Sequence, residues 1–298
     1  MSKLLSFAAG LCVACSFGAV SATATAAPAA NVLVAATKVV TTPAGRVGYR
    51  EVGSGSPLLL IMGLGGSMDD WAPGFVDSLA ASHLVVLFDN AGVGETAKLS
   101  PPLTIAEMAG ETSDLISALH LGKPAVLGWS MGGMVAQALA ILHPGQVSKL
   151  VLAATQAGTG KALPIPVAAA AAAVSTNPLV VLSVLFPRAA AAAARAYVNG
   201  ILAYPNFYQP PRTTIAMQGA AVEAWMEGKD SAGHHLSGIK APTLVADGTA
   251  DALNPVANAR LIAGSVPGAK LLLYPGAGHA FLFQDSASFV PAVERFIG

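Results

Sequence analysis

The residues of this chain best suited to chemistry lie in the segment GWSMGG, residues 128–133. It matches Gly-x-Ser-x-Gly, a pattern in which the serine is a nucleophile on a sharp turn from a strand into a helix. The flanking sequence has the required order, because apolar residues 125–127 precede the motif and an amphipathic stretch follows it. Ser130 would then stand at a helix N-terminus, where free N–H groups favour a developing negative charge. We interpret Ser130 as a nucleophile, against the alternative of a chance match in a Gly-rich chain.

A serine nucleophile needs a histidine base, and after a nucleophile elbow the acid and then the histidine follow along the chain. Of the histidines after Ser130, only His279 lies beyond the strand that should carry the acid. It ends the Gly-rich segment 276–279 directly after a predicted strand, so its ring could lie over the strand ends. The sequence favours His279 as the base over a purely structural loop histidine. The other histidines after the serine fit a helix end or the surface better: His143, His234 and His235.

The acid that orients the histidine is predicted by elimination. The strand expected at residues 150–154 is followed by TQAG, which contains no carboxylate, whereas the strand at 243–246 is followed by DGTAD. Asp247 is so close to the strand end that it suits an Asx-turn, in which the carboxylate accepts turn N–H groups. Asp251 lies farther along the loop and can reach His279. Both aspartates remain candidates, and Asp251 is favoured.

Strands and helices that alternate along the chain would position these residues. Residues 32–42 and 46–52 predict an antiparallel hairpin, and later apolar runs predict strands buried on both faces. This alternation predicts an α/β fold with a mostly parallel sheet and helices on both faces. Residues 161–228 lack strand signals and contain two six-alanine runs punctuated by prolines, so we expect a helical insertion there. The insertion belongs to a single domain over residues 28–298.

Composition narrows the classes of function. The chain has 298 residues, 54% hydrophobic and 11% charged, with a formal net charge of zero. Such a chain can bury one large α/β core. Because it has no basic excess or Lys/Arg cluster, nothing indicates a nucleic-acid partner or docking on anionic lipid.

The first 27 residues have the layout of a secretory signal peptide. Lys3 gives a positive start, residues 4–20 carry no charge, and residues 24–26 offer an A-x-A cleavage site. Cys12 and Cys15 both lie in this leader, so the mature chain would contain no thiol. We expect an exported protein, periplasmic or extracellular, without stable membrane insertion after cleavage. The alternatives are an uncleaved anchor and lipidation at a loose match to a lipoprotein box.

Five segments together carry a resemblance to a known family. They are MGLGGS at 62–67, DNAGVG at 89–94, GWSMGG at 128–133, DGTAD at 247–251 and GAGH at 276–279. In order and spacing they resemble the α/β-hydrolase superfamily, most closely its capped esterase and haloperoxidase-like members. The resemblance covers essentially the whole mature chain.

The resemblance implies a complete site. It implies an eight-stranded, mostly parallel sheet with an inserted helical cap, no cofactor, no metal, and a triad of Ser130, Asp251 and His279. The oxyanion hole would use the backbone N–H groups of Leu64 and Met131. The family usually has His at position 62 and often Arg at position 91, where this chain has Met and Ala. The polar network behind the oxyanion loop must therefore differ, although both backbone donors should survive.

The substrate expected is small and uncharged. The predicted cap carries few charges, which favours a moderately apolar carboxylic ester or lactone, hydrolysed through an acyl-enzyme. Alternatives are cofactor-free haloperoxidase or perhydrolase chemistry, C–C bond hydrolysis on the same triad, and a catalytically silent binding module. The substrate-binding residues predicted from the sequence are Gly63, Trp129, Phe186, Tyr204 and Trp225.

Overall fold

A computed structural model describes residues 30–98 and 100–298, so the predicted leader with both cysteines lies outside the described residues. Its central element is an eight-stranded sheet in the order β1-β2-β4-β3-β5-β6-β7-β8. The first two strands form an antiparallel hairpin, β2 is antiparallel to β4, and the remaining pairs are parallel. The predicted fold class is therefore confirmed. The strands are β1 (Lys38–Thr42), β2 (Gly45–Gly53), β3 (Ser56–Ile61), β4 (His83–Phe88), β5 (Ala125–Trp129), β6 (Lys149–Ala153), β7 (Thr243–Gly248) and β8 (Lys270–Tyr274).

Helices cover both faces of this sheet. Alternate residues of β3 point to opposite faces, so Leu59 packs with one group of helices and Leu60 with the other. Both side chains are completely buried, which explains why the strand is apolar on both faces from residue 58 to residue 61. The helices are α1 (Pro73–Ala80), α2 (Ile105–Ala118), α3 (Met131–Leu142), α4 (Val167–Ala173), α5 (Pro178–Leu185), α6 (Ala191–Ile201), α7 (Arg212–Met226), α8 (Ala257–Ser265), α9 (Phe281–Gln284) and α10 (Ser286–Ile297).

Local signals set some of the element boundaries. Thr104 caps α2 through the backbone N–H of Glu107, whose carboxylate accepts from the Thr104 N–H in return, as the predicted capping box requires. The predicted start of the hairpin was wrong. Residues 32–34 form a short 3₁₀ turn capped by Asn31, because the Val32 N–H is held by the carboxylate of Asp77 at 2.7 Å.

Helices α4 to α7 form the inserted cap between β6 and β7. Its first half is loosely packed, since α4 buries only Ala169 and α5 buries no residue. Two tyrosine hydroxyls hold the second half to the loop after β3. Tyr197 donates to the carbonyl of Asp70 at 3.0 Å, and Tyr204 donates to that of Trp71 at 2.9 Å.

The helices of the described residues are short compared with a membrane span. None of their helices alone is long and apolar enough to cross a bilayer. The pair Pro178–Leu185 and Arg188–Ile201, bent by 110°, meets these criteria only when taken together.

Candidate active site

Ser130 lies on a strained turn between β5 and α3. Its backbone has φ 57° and ψ −121°, a combination that non-glycine residues rarely adopt. Hydrogen bonds on both sides hold it there. The Ser130 N–H donates to the Ala153 carbonyl at 2.9 Å, and the Ser130 carbonyl accepts from the hydroxyl of Thr155 at 2.7 Å. The residues on either side of Ser130 are buried while Ser130 is only half-buried, so the turn presents its hydroxyl at the carboxyl end of β5.

The glycines of the motif are required by close packing. A Cβ at Gly128 would collide with the carbonyl of Gly132, and one at Gly132 would collide with the carbonyl of Ile61. A Cβ at Gly133 would lie 2.6 Å from the Cβ of Thr155. The helix can therefore approach the strands this closely only without side chains at these positions.

His279 and Asp251 are hydrogen-bonded. Nδ1 of His279 lies 2.7 Å from Oδ2 of Asp251, and both side chains are almost fully buried. The indole N–H of Trp129 donates to the His279 carbonyl at 3.1 Å, which ties the histidine loop to the residue before Ser130. Among the described residues Ser130 Oγ makes no hydrogen bond, so the contact with the imidazole is not formed in this state. Such contacts often tighten only when substrate binds.

Asp247, the other candidate acid, lies near the end of β7 and does not contact the imidazole. It is completely buried and accepts hydrogen bonds from the Gly248 N–H at 2.8 Å and from the side-chain amide of Asn254 at 2.6 Å. The first contact is the turn bond expected from the sequence. Burial, and after it the adjacent carboxylate of Asp251, together raise the pKa of Asp247 to about 9.

The loop after β3 lies over the nucleophile. A Cβ built on Gly63 would be 3.2 Å from the Cβ of Ser130, so this predicted substrate-binding position does border the elbow. Within residues 30–98 and 100–298, the N–H groups of Leu64 and Met131 donate to no protein acceptor. Two free donors beside a serine are the arrangement needed to hold an oxyanion.

Two side chains that the sequence did not point to fix this loop. Oε1 of Gln218 on α7 accepts from the Gly65 N–H at 2.9 Å, and the amide of Asn90 donates to the Met62 carbonyl at 2.9 Å. Asn90 thus supplies a polar contact behind the loop, which was expected to differ because Met62 replaces the family's histidine. No local signal identified Gln218, which is 153 residues from its partner.

Several carboxyl groups lie behind the same loop. Arg50 pairs with Asp69 at 2.6 Å. Burial raises the pKa of Asp70 to about 7 and that of Asp89 to about 6, because little water reaches either group. Two open clefts border Arg50, and no triad candidate lines them. In the part of the chain that the structure describes, no cluster of His, Asp and Glu has the arrangement of a metal site.

Two predicted substrate-binding residues make polar contacts that hold the fold together. Trp225 is completely buried, and its indole N–H donates to the Gln156 carbonyl at 3.1 Å. Tyr204 donates to the Trp71 carbonyl, and the Arg50 guanidinium lies 5.4 Å from its ring centre. Contact of either residue with substrate stays a prediction, because aromatic residues at helical spacing do not reveal which partner they face.

The two other aromatic candidates lie close to the histidine loop. The ring centre of Trp129 is 5.8 Å from that of His279, although Trp129 itself is buried and acts mainly as a support. Phe186 packs against Tyr197 at 5.5 Å, and Tyr197 stacks on Phe283 at 4.9 Å. An aromatic cluster therefore joins the cap to the sheet beside the site.

Comparison with known proteins agrees with this geometry. The family model for the alpha/beta hydrolase fold matches residues 56–286. A poly(3-hydroxyalkanoate) depolymerase of Ectopseudomonas oleovorans is 30% identical over 253 residues, covering 81% of this chain and 84% of that protein.

Solved structures give the same result. An alpha/beta hydrolase fold protein from Chitinophaga pinensis has a TM-score of 0.78 at 24% identity, covering 89% of this chain and 98% of that one. A hydrolase from Pseudomonas aeruginosa has a TM-score of 0.71 at 26% identity, covering 88% of this chain and 98% of that one. This chain belongs to the α/β-hydrolase family.

Proposed function

We propose that this chain is a serine hydrolase that cleaves an uncharged carboxylic ester or lactone through an acyl-enzyme on Ser130. The observation that carries the proposal is the 2.7 Å bond between His279 and Asp251 beside a strained serine elbow. A serine nucleophile, a histidine base and an acid that orients the histidine are the groups that acyl transfer requires.

The reaction follows from the positions of these groups. As Ser130 Oγ attacks the substrate carbonyl carbon, Nε2 of His279 takes the hydroxyl proton, and Asp251 holds the imidazole through Nδ1. The carbonyl oxygen becomes an oxyanion that the N–H groups of Leu64 and Met131 stabilise. Collapse of this intermediate breaks the ester C–O bond, and His279 returns the proton to the leaving alcohol. Water, deprotonated by the same histidine, then attacks the acyl carbon, the bond from that carbon to Ser130 Oγ breaks to release the acid, and His279 returns the proton to Oγ.

The substrate class is supported by the cap and by one relative. No charged residue occurs between Lys161 and Arg188, so the first half of the cap offers no fixed charge to an ionic substrate. The name of the Ectopseudomonas relative refers to a poly(3-hydroxyalkanoate), a polymer joined by ester bonds. Both observations favour an apolar ester over a polyanionic substrate.

We further propose that the protein is exported after removal of a leader that ends near residue 27. The support is the charge and size pattern of residues 1–27. Intact mass of the exported protein tests this directly. A chain that begins near residue 28 supports it, and a retained or lipid-modified leader refutes it.

The function is tested with p-nitrophenyl esters of increasing acyl length. The wild-type protein should hydrolyse at least one of them, and Ser130→Ala should remove nearly all activity. The matched control is Ser78→Ala, since Ser78 is on α1 and bonds only to the carbonyl of Gly74. Equal activity in wild type and Ser130→Ala would refute the mechanism, and a folded protein inactive on every ester would refute the substrate class.

A further inference from the structure

Two buried carboxyl groups lie close together, Asp247 near the end of β7 and Asp251 in the loop that follows, and one residue bridges them. The backbone N–H of Asn254 donates to Oδ1 of Asp251 at 2.7 Å, while its amide donates to Oδ2 of Asp247 at 2.6 Å. Asn254 therefore holds the two carboxyl groups side by side, and the negative charge of Asp251 raises the pKa of buried Asp247. Because two buried carboxylates this close would repel each other, we expect the pair to hold one proton between them.

The contacts decide where that proton lies. Asp251 accepts from the N–H groups of Leu253 and Asn254, each at 2.7 Å, and also faces Nδ1 of His279. Asp247 accepts from only two donors, and its side chain is closed off from water. Three donors stabilise a negative charge better than two, so Asp251 carries the charge and Asp247 carries the proton.

We propose that Asp247 is a positioning residue of the triad, a neutral carboxylic acid that donates a hydrogen bond to Asp251 and fixes that carboxylate against His279. This inference rests on the proposed function, because it assigns Asp251 as the orienting acid. Asp247 acts only through Asp251, since no contact joins it to the imidazole among the described residues. The carboxylate of Asp251 is then held by donors on every side, so it cannot rotate away when the imidazole takes a proton.

The surroundings of Asp247 leave Asp251 as its main charged neighbour. On β6 the one ionisable residue is Lys149, at the opposite end of the strand, and β8 carries Lys270 and Tyr274. Helix α8 carries Arg260, which is exposed. His279 acts on Asp247 only through Asp251. No cation therefore offsets a negative charge on Asp247, and its pKa of about 9 keeps it neutral at physiological pH.

The same network reaches the cap. Asn258 donates to Oδ1 of Asn254 at 2.9 Å, and it also binds both backbone groups of Leu163, at 2.7 Å and 3.0 Å. Asn254 donates in addition to the carbonyl of Thr155 at 3.1 Å, whose hydroxyl holds the Ser130 carbonyl. One buried hydrogen-bond network thus joins the start of the cap, the two aspartates and the elbow, and it holds Asp247 in place.

The test compares the pH dependence of kcat in wild type, Asp247→Asn and Asp247→Ala. A neutral Asp247 ionises only at high pH, where it would repel Asp251, so wild-type kcat should fall above about pH 9. Asparagine keeps a neutral donor but can accept only one of the two hydrogen bonds made to Asp247, so Asp247→Asn should keep far more kcat at pH 7 than Asp247→Ala and lose this alkaline fall. Asp247→Ala should lower kcat about 10- to 100-fold with KM within about twofold.

The matched control is Glu111→Gln. Glu111 is another buried carboxyl, whose pKa burial raises to about 8, but it lies on α2 away from the triad. This variant should keep the wild-type alkaline fall. Circular dichroism establishes that each variant is folded.

Infrared spectroscopy gives a readout that does not depend on activity. At pH 7 the carbonyl-stretch band of a protonated carboxylic acid should lose intensity in Asp247→Asn relative to wild type. If wild type hydrolyses no ester, the proposed function fails, while the band still decides whether Asp247 is neutral. An unchanged band, an Asp247→Asn profile with the wild-type alkaline fall, or a folded Asp247→Ala with wild-type kcat would each overturn the inference.

Discussion

The sheet with its flanking helices, here called the sheet region, and the cap differ in how they are held together. The strands around the elbow are buried on both faces, and the site loops are tied by backbone hydrogen bonds and glycine contacts. The first half of the cap exposes apolar side chains, with Val167 86% and Leu179 73% accessible. It touches the histidine loop through one backbone bond, from the Ala280 N–H to the Leu185 carbonyl at 2.9 Å.

This difference suggests that the two regions have separate functions. Catalysis requires groups held to within a fraction of an ångström, and only the densely packed sheet region can hold them so. Segments with few buried contacts open at low free-energy cost. We therefore expect the sheet region to determine the reaction and the cap to determine which substrates enter.

The largest effect is expected at the nucleophile and base. Ser130→Ala and His279→Ala should each lower kcat by about 10⁶-fold, and the double variant should be little worse, because triad members act as one unit. Thermal unfolding should change little in Ser130→Ala, since Ser130 is only half-buried, whereas His279→Ala removes a buried partner of Asp251 and should lower the free energy of unfolding by about 1–3 kcal/mol. Steady-state kinetics on the best ester measure this, and additive losses in the double variant would contradict a shared mechanism.

The orienting acid should give the next largest effect. Asp251→Asn should lower kcat by about 10⁴-fold, because an amide that donates to Nδ1 favours the wrong imidazole tautomer. The comparison is Asp247→Asn, which retains the donor to Asp251 and should keep most activity. If instead Asp247→Asn is inactive and Asp251→Asn is active, the assignment of the acid is reversed.

A pair of leucines tests the packing contrast itself. Leu59→Ala removes a side chain buried in β3 and should lower the free energy of unfolding by about 2–5 kcal/mol. Leu179→Ala, on the exposed face of α5, should change it by less than about 0.5 kcal/mol. Chemical denaturation measures both. Similar losses would mean that the cap is as tightly packed in solution as the sheet.

The smallest effect concerns Gln218, an α7 side chain that holds the loop after β3. Gln218→Ala removes the acceptor of the Gly65 N–H and should lower kcat about tenfold with little change in KM, because the loop donors lose alignment. Gln218→Glu keeps an acceptor and should recover part of kcat. A change in KM alone would indicate that Gln218 contacts substrate and does not position the loop.

The sequence predicted the parts of the site that depend on local order. Ser130 is defined by its own glycines and flanking elements, and the position of His279 after the last parallel strand follows from the alternation of strands and helices. Asp251 was favoured over Asp247 by loop length, and the structure places Asp251 against the imidazole. These inferences need only neighbouring residues.

The remaining contacts depend on tertiary packing, which a single sequence does not encode visibly. Gln218 and Asn254 carry no motif, and their roles arise because the chain brings distant backbone groups to them. Tyr204 and Trp225 were predicted to face substrate because they are aromatic and lie in the cap. The direction of a side chain on a helix depends on the surface against which that helix packs, and the sequence does not identify that surface.

Covalent labelling tests the central claim, that Ser130 is the nucleophile, most directly. A fluorophosphonate probe should form one adduct per chain, and mass spectrometry should find it on the peptide that contains Ser130. The adduct should be absent in Ser130→Ala and should form far more slowly in His279→Ala. An adduct that persists in Ser130→Ala, or a folded wild-type protein that forms none, would contradict the account.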